Sequence, residues 1–188
     1  MTRVPKQVDH AERRAHIAEA VLAVVARGGL EEVSVRHVAT AAGVSPGMVQ
    51  HYFRSKDEMM RAALERVGAA VQERLGAAGE LPPRDLVRAL FLQLLPLDRQ
   101  RTREARVAVA FLAHAAVHPE AGDELRANAR ALRAHLGARL LGSTAQADAV
   151  ATGLLALVDG LGLQVLTGQL AADDAVATLD AWLDLALD

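Results

Sequence analysis

The 188-residue sequence contains no cysteine. That excludes disulfides, thiolate catalysis and Cys-based zinc sites together, and it suits a reducing compartment such as the cytoplasm. Aromatic residues make up 3% of the chain, with one Trp, one Tyr and three Phe, too few for a cage of stacked rings around a quaternary ammonium. Lysine is nearly missing: Lys6 and Lys56 are the only two among 21 Lys and Arg. From Leu140 onward there is no cation, while Asp148, Asp159, Asp173, Asp174, Asp180, Asp184 and Asp188 are all acidic. The first residues, "MTRVPKQVDHAERR", hold no apolar run of the kind a secretory signal needs. No stretch alternates convincingly as a strand, and no repeat or low-complexity linker interrupts the chain.

What is present is apolar material for a sizeable core, 52% hydrophobic against 23% charged, with a formal net charge of −2. This composition suits a soluble globular protein. The cations lie upstream of the acidic stretch, so a DNA-binding end would be N-terminal, with the acidic region facing away from phosphates. Apolar residues recur at helical spacing throughout. Residues 9–27 present Ile17, Ala20, Val21, Val24 and Val25 on one face, and Gly28-Gly29 ends that helix. A long helix starts near Ser55, where Ser55 and Glu58 match the S-x-x-E capping box. Pro82-Pro83 open the next helix and Pro96 closes it; another spans about 100–117, and Pro119 starts one reaching about 140. The last two cover roughly 144–167 and 173–187. The expected fold is all-α, about nine helices.

The most informative stretch is "VRHVATAAGVSPGMVQHYFRSK", residues 35–56. Val35, Val38, Ala39 and Ala42 lie at i, i+3, i+4 and i+7, one face of a two-turn helix. Gly43 supplies the backbone freedom for a corner, Val44 plugs it, Ser45 can cap the next helix, and Pro46 suits its first position. Val49 and Tyr52 then point back at the first helix of the pair. A helix-turn-helix needs this set: a small residue where the helices touch, a glycine at the turn, and apolar residues holding the crossing angle.

With these residues in place, the N-terminal 60 or so residues resemble the TetR (tetracycline-repressor-like) family of transcriptional regulators. A first helix is followed by a helix-turn-helix with "AGVSPG", then "HYFRSK" leads into a long fourth helix. The remaining two thirds resemble the family in length, helical character and the segment "LLALVDGLGLQVLTG". The resemblance implies a homodimeric, cytoplasmic, ligand-responsive regulator, usually a repressor, that binds double-stranded DNA at an inverted-repeat operator. Residues 1–54 would be the helix-turn-helix domain and 55–188 the ligand-binding and dimerisation domain. No cofactor, metal or membrane partner is expected.

Carried residue by residue, the recognition helix would run from Ser45 to Tyr52. The expected DNA-binding residues are Ser34, Arg36, Ser45, Pro46, Gly47, Met48, Gln50, His51, Tyr52 and Lys56. Gly47 lets the backbone approach closely, and Met48 can touch a thymine methyl. His51 falls where the family often places a phosphate contact, and Lys56 matches its phosphate-contacting lysine at the start of the fourth helix. Ser34 is foremost an N-cap, with free amides that can also hold a phosphate. Where the family usually has tyrosine this chain has Gln50, which either reads adenine in the major groove or is solvated. Arg3 and Lys6 stand ahead of the first helix as a candidate minor-groove arm.

In the C-terminal part, the helix over 144–167 is apolar on nearly all sides. Asp159 in its middle would cost about 2.5 to 3.5 kcal/mol inside a bilayer, so burial against both its own subunit and a partner is the better account. Leu154, Val158, Leu161 and Val165, with Leu179 and Trp182 from the last helix, are the candidate dimer contacts. An aliphatic cavity for a small hydrophobic effector would draw on Leu90, Phe91, Leu94, Val107, Phe111, His114, Leu155 and Asp159, although several of these suit plain core equally well. As an enzyme the best case is His114 and His118 at i, i+4, but no H-E-x-x-H glutamate, third ligand or nucleophile accompanies them. The other rival is a helical dimeric binding or interaction protein without sequence-specific DNA binding. The Arg99, Arg101, Arg103, Arg106 cluster reads as a solvated face, or as one lying near DNA or the first helix.

Overall fold

The computed structural model describes residues 6–77, 79–141 and 145–187. Among them are nine α-helices and no strand: α1 Lys6–Gly28, α2 Val35–Ala42, α3 Pro46–Tyr52, α4 Lys56–Gly76, α5 Pro83–Leu94, α6 Arg99–Val117, α7 Asp123–Leu141, α8 Ala145–Leu166 and α9 Ala172–Leu187. The expected all-α fold is the one observed. Two starts differ: α1 begins at Lys6, ahead of residue 9, and Pro119 opens a short 3-10 turn, Pro119–Gly122, so that α7 proper begins at Asp123.

Packing divides the chain into two compact units, Met1–Ala70 with Arg106–Ala113, and Val71–Ala105 with His114–Asp188. The boundaries between them fall after residues 70, 105 and 113. The first unit keeps the opening turns of α4, whose Met59, Met60, Ala62 and Ala63 are buried. Its interior also takes Ile17, Val21, Val24 and Val25 from α1, Val38 and Ala39 from α2, Val49 from α3, and Val107 and Phe111 from α6. Arg14 donates to Glu65 at 3.1 Å, linking α1 to α4 at the surface. Arg106 donates to the Ala26 carbonyl at 3.1 Å, placing a cation at the C-terminal end of α1, where the helix dipole favours one. Of the four clustered arginines, Arg106 thus lies near the first helix.

In the second unit Val87, Phe91 and Leu95 of α5 and its exit meet Leu136 of α7, Ala151, Leu154, Val158 and Leu161 of α8, and Ala175, Leu179 and Leu183 of α9. The backbones of α7 and α8 approach so closely at Gly137 that an added Cβ would stand 3.2 Å from the Ala147 carbonyl. Arg88 grips Asp180 with two hydrogen bonds, 2.5 and 2.8 Å, tying α5 to α9, and Arg84 pairs with Asp184 alongside. A second polar link is enclosed. Glu104 accepts both guanidinium nitrogens of Arg74, at 2.9 and 2.7 Å, and the Gln100 amide at 3.0 Å; Arg74 Nε donates to Gln93 at 2.7 Å.

Most of the expected dimer contacts take part in this core. Leu154, Val158, Leu161 and Leu179 are all buried in the core of their own unit, and of these four Leu154 also lines the groove between α8 and α9. Val165 is half-buried and Trp182 is 52% exposed. Because α8 is apolar around most of its circumference, its inward stripe and outward stripe look alike in sequence. The outward one carries Gly153, Ala156 and Leu163, and α9 adds Trp182 and Leu185, all exposed. By length and composition, Gln146–Leu166 could also cross a membrane, yet one of its faces is already occupied by the core of this unit.

Candidate nucleic-acid interface

Local chemistry fixes each step of the helix-turn-helix. Ser34 caps α2 by accepting the His37 amide at 3.2 Å. Gly43 ends α2 with φ 64° and ψ 33°, a left-handed conformation that costs a residue with a Cβ roughly 1–2 kcal/mol. The Gly43 and Val44 amides return to the carbonyls of Thr40 and Ala39, at 3.3 and 3.0 Å. Ser45 then caps α3 by accepting the Met48 amide at 3.2 Å, with Pro46 in its first turn. The capping box at α4 forms with a variation: Ser55 accepts the Glu58 amide at 3.1 Å, while the Glu58 carboxylate reaches back to the amide of Arg54 at 2.6 Å.

Two histidines brace this arrangement, and the sequence pattern did not single them out. His16 of α1 donates from Nε2 to the Ala42 carbonyl at 2.8 Å, closing the C-terminal end of α2. His37 donates from Nδ1 to the Glu32 carbonyl at 2.8 Å, with the Glu32 carboxylate 3.2 Å away. Their only sequence signal is a polar residue beside an apolar stripe, which most helices show.

The expected DNA-binding residues lie on α2, on α3, at their N-caps and at the start of α4. Arg36, Ser45, Pro46, Gly47, Gln50 and His51 are exposed; Ser34, Met48, Tyr52 and Lys56 are half-buried. Three of them, Ser34, Gln50 and Lys56, line a single concavity of about 510 Å³ together with Val33, Val35, Phe53, Arg54, Ser55 and Met59. The N-termini of both α2 and α4 flank it, so capped helix ends, a lysine and an arginine surround one hollow. Free amides and dipoles at helix N-termini favour anions there. Lys6 sits in the first turn of α1, and Arg3 lies outside the described residues.

The expected effector residues divide between the two units. Val107 and Phe111 fill the interior of the first unit. Phe91 belongs to the core of the second, with Leu90, Leu94 and Leu155 half-buried against it. Asp159 is exposed along α8, although desolvation by its surroundings holds its carboxyl above the usual range. His114 stacks on His118, ring centroids 4.2 Å apart, and among the described residues no group of three or more His, Asp or Glu has metal-holding geometry. An apolar groove of about 560 Å³ lies between α8 and α9, lined by Val150, Gly153, Leu154, Ala156, Leu157, Trp182 and Ala186. None of the expected effector residues lines it.

A capped helix-turn-helix whose exposed helix stands beside an anion-favouring hollow defines a DNA-binding protein of the helix-turn-helix class. Comparison with known proteins agrees. Residues 17–63 match the family described as bacterial regulatory proteins, tetR family, and residues 83–188 match the C-terminal region of BetI-type transcriptional repressors. The chain belongs to the TetR family; it is a DNA-binding transcriptional regulator of the repressor type and not an enzyme. It is 36% identical over 170 residues to the HTH-type transcriptional regulator PksA of Bacillus subtilis, covering 87% of this chain and 83% of that one. To the HTH-type transcriptional regulator BetI of Serratia proteamaculans it is 30% identical over 158 residues, 81% and 80% of the two chains. A Rhodococcus transcriptional regulator of known structure superposes with a TM-score of 0.82 at 38% identity, over 93% of this chain and 95% of that one. A protein from Saccharomonospora viridis, solved in complex with choline, superposes with a TM-score of 0.80 at 25% identity, over 93% and 96%.

Proposed function

We propose that the protein is a homodimeric, cytoplasmic repressor that binds an inverted-repeat operator and leaves it when a small hydrophobic effector binds. In this reading residues 1–54 hold the DNA and residues 55–188 hold the partner subunit and the effector. The observation that carries it is the hollow gathering Ser34, Gln50 and Lys56 at two helix N-termini beside α3. A backbone phosphate fits that set of donors, and it assigns Gln50 to the phosphate side of α3. The outward face of α8 and α9, with Trp182 and Leu185 exposed, supports the dimer.

For the effector we favour an uncharged, aliphatic-binding molecule over choline, although choline occupies the Saccharomonospora protein. Choline recognition draws on aromatic faces. Here Phe53 and Phe111 are buried in the first unit, Tyr52 packs with His10, Phe91 is buried in the second core, and Trp182 lies on its surface. We place the effector in the second unit beside Leu90, Leu94 and Leu155, the aliphatic candidates that are neither exposed nor fully buried in the central core.

Selection of duplexes from a random pool by the purified protein tests the reading. Enrichment of an inverted repeat, with half-site centres about 34–36 Å apart or a multiple of that, is expected. An unenriched pool would contradict it.

A further inference from the structure

Helix α3 has two flanks, and the hollow around Lys56 accounts for only one. At 3.6 residues per turn each residue advances about 100°. Val49 is fully buried, which turns Gly47 and His51 to the opposite, outward side. Gln50 falls on the flank bordering the hollow; Met48 and Tyr52 fall on the other. On that second flank Tyr52 has company from α1. The ring of His10 lies 4.5 Å from that of Tyr52, tilted by 54°, and 5.9 Å from that of His51. His51 in turn stands edge-on to Tyr52 at 5.1 Å. Three rings from two helices, each with an N–H or O–H donor, thus form one patch, and His10 and His51 are exposed.

The major groove is about 12 Å wide, and a helix with its side chains is about 10–12 Å across. A helix lying in the groove therefore meets both walls, and each wall is a sugar-phosphate strand. We propose that His10 of α1 joins His51, already an expected phosphate contact, and Tyr52 in a second phosphate-binding site, holding the strand opposite the one held at Ser34, Gln50 and Lys56. The proposal rests on the reading of α3 as the helix that enters the groove. Whichever nitrogen of an imidazole carries the proton, that N–H can donate to a phosphate oxygen, and the tyrosine hydroxyl can do the same. Contact with Tyr52 limits where the His10 ring can point, so less freedom is lost on binding. Between the two clamps, Gly47 and Met48 are left to meet base edges.

Phosphate contacts act on every sequence alike, so a fluorescein-labelled duplex of about thirty base pairs and arbitrary sequence is a sufficient probe. Its anisotropy would be followed across a salt series with wild type, His10→Phe, His10→Lys and, for reference, Lys56→Ala. His10→Phe keeps a ring against Tyr52 and removes the ring N–H; we expect about tenfold weaker duplex binding. His10→Lys restores binding to at least the wild-type level and steepens the salt slope by about 0.9. A purely structural role predicts the reverse, with phenylalanine harmless and lysine harmful. Wild-type affinity in His10→Phe, or His10→Lys binding no better than His10→Phe, overturns the proposal. If Lys56→Ala weakens binding in that same experiment, the groove reading stands without it; if Lys56→Ala binds like wild type, both fall.

Discussion

Glu104, at 5% exposure, is the buried charged side chain among the described residues, and its partner Arg74 is partly open to solvent. The hydrogen bonds to Glu104 raise the already high Arg74 pKa, so the guanidinium keeps its charge. Arg74→Met should therefore leave a carboxylate stranded and cost about 3 kcal/mol, whereas Arg74→Met/Glu104→Met should recover most of that loss. Urea denaturation of the single and double variants measures the difference; equal losses in both would show the pair contributes nothing specific. Asp159 and Asp180 make an opposed pair of pH predictions. Desolvation raises the Asp159 pKa, so its neutral form is favoured in the fold and the stability it contributes at low pH is lost as pH rises through that value. Asp159→Asn should melt higher than wild type at pH 7, with the gap closing below about pH 3.9. The hydrogen bonds from Arg88 lower the Asp180 pKa, so its contribution is present at neutral pH and is lost as pH falls through the lowered value. Asp180→Asn should melt lower at pH 7 and converge with wild type in acid. Asp159 stood out in sequence, in the middle of an apolar helix, but Glu104 and Asp180 did not: each is a carboxylate on a helix, and only the packing brings each to an arginine.

At the scale of the element, the DNA-binding head was legible because its signals are local. A cap, a turn glycine and an N1 proline each act within four residues, and all three occur as read at Ser34, Gly43, Ser45, Pro46 and Ser55. Gly43→Ala tests the corner. With φ at 64° and nothing within 4 Å of a new Cβ, the penalty is backbone strain and not a clash, roughly 1–2 kcal/mol in chemical denaturation. An unchanged midpoint would mean the turn relaxes without a left-handed residue. The side of α8 was not legible, since burial within a subunit and burial against a partner select the same apolar residues. Gly153 and Ala156, small residues on the outward face, were the available hint. His10 was hidden for a different reason: it lies on another helix, and no spacing rule connects α1 to α3.

For the whole molecule, the outward face of α8 and α9 is where the account becomes a statement about two chains. Leu185 is 74% exposed and lies outside the core of its own unit. Leu185→Glu should leave the subunit folded, dissociate the dimer and shift Trp182 emission to the red as that ring enters water. Unchanged mass in sedimentation would place the interface elsewhere. In the proposed dimer, an effector that lowers operator affinity a hundredfold must itself bind a hundredfold more weakly to the DNA complex, a coupling of about 2.7 kcal/mol. The most direct test of a dimer reading an inverted repeat is the stoichiometry and affinity of the protein on its selected duplex, by sedimentation velocity, with both half-sites intact and with one scrambled. The account predicts protomers bound in pairs on the intact site, and a loss of at least a hundredfold in affinity when one half-site is scrambled. A single protomer bound with undiminished affinity to the remaining half-site would contradict it.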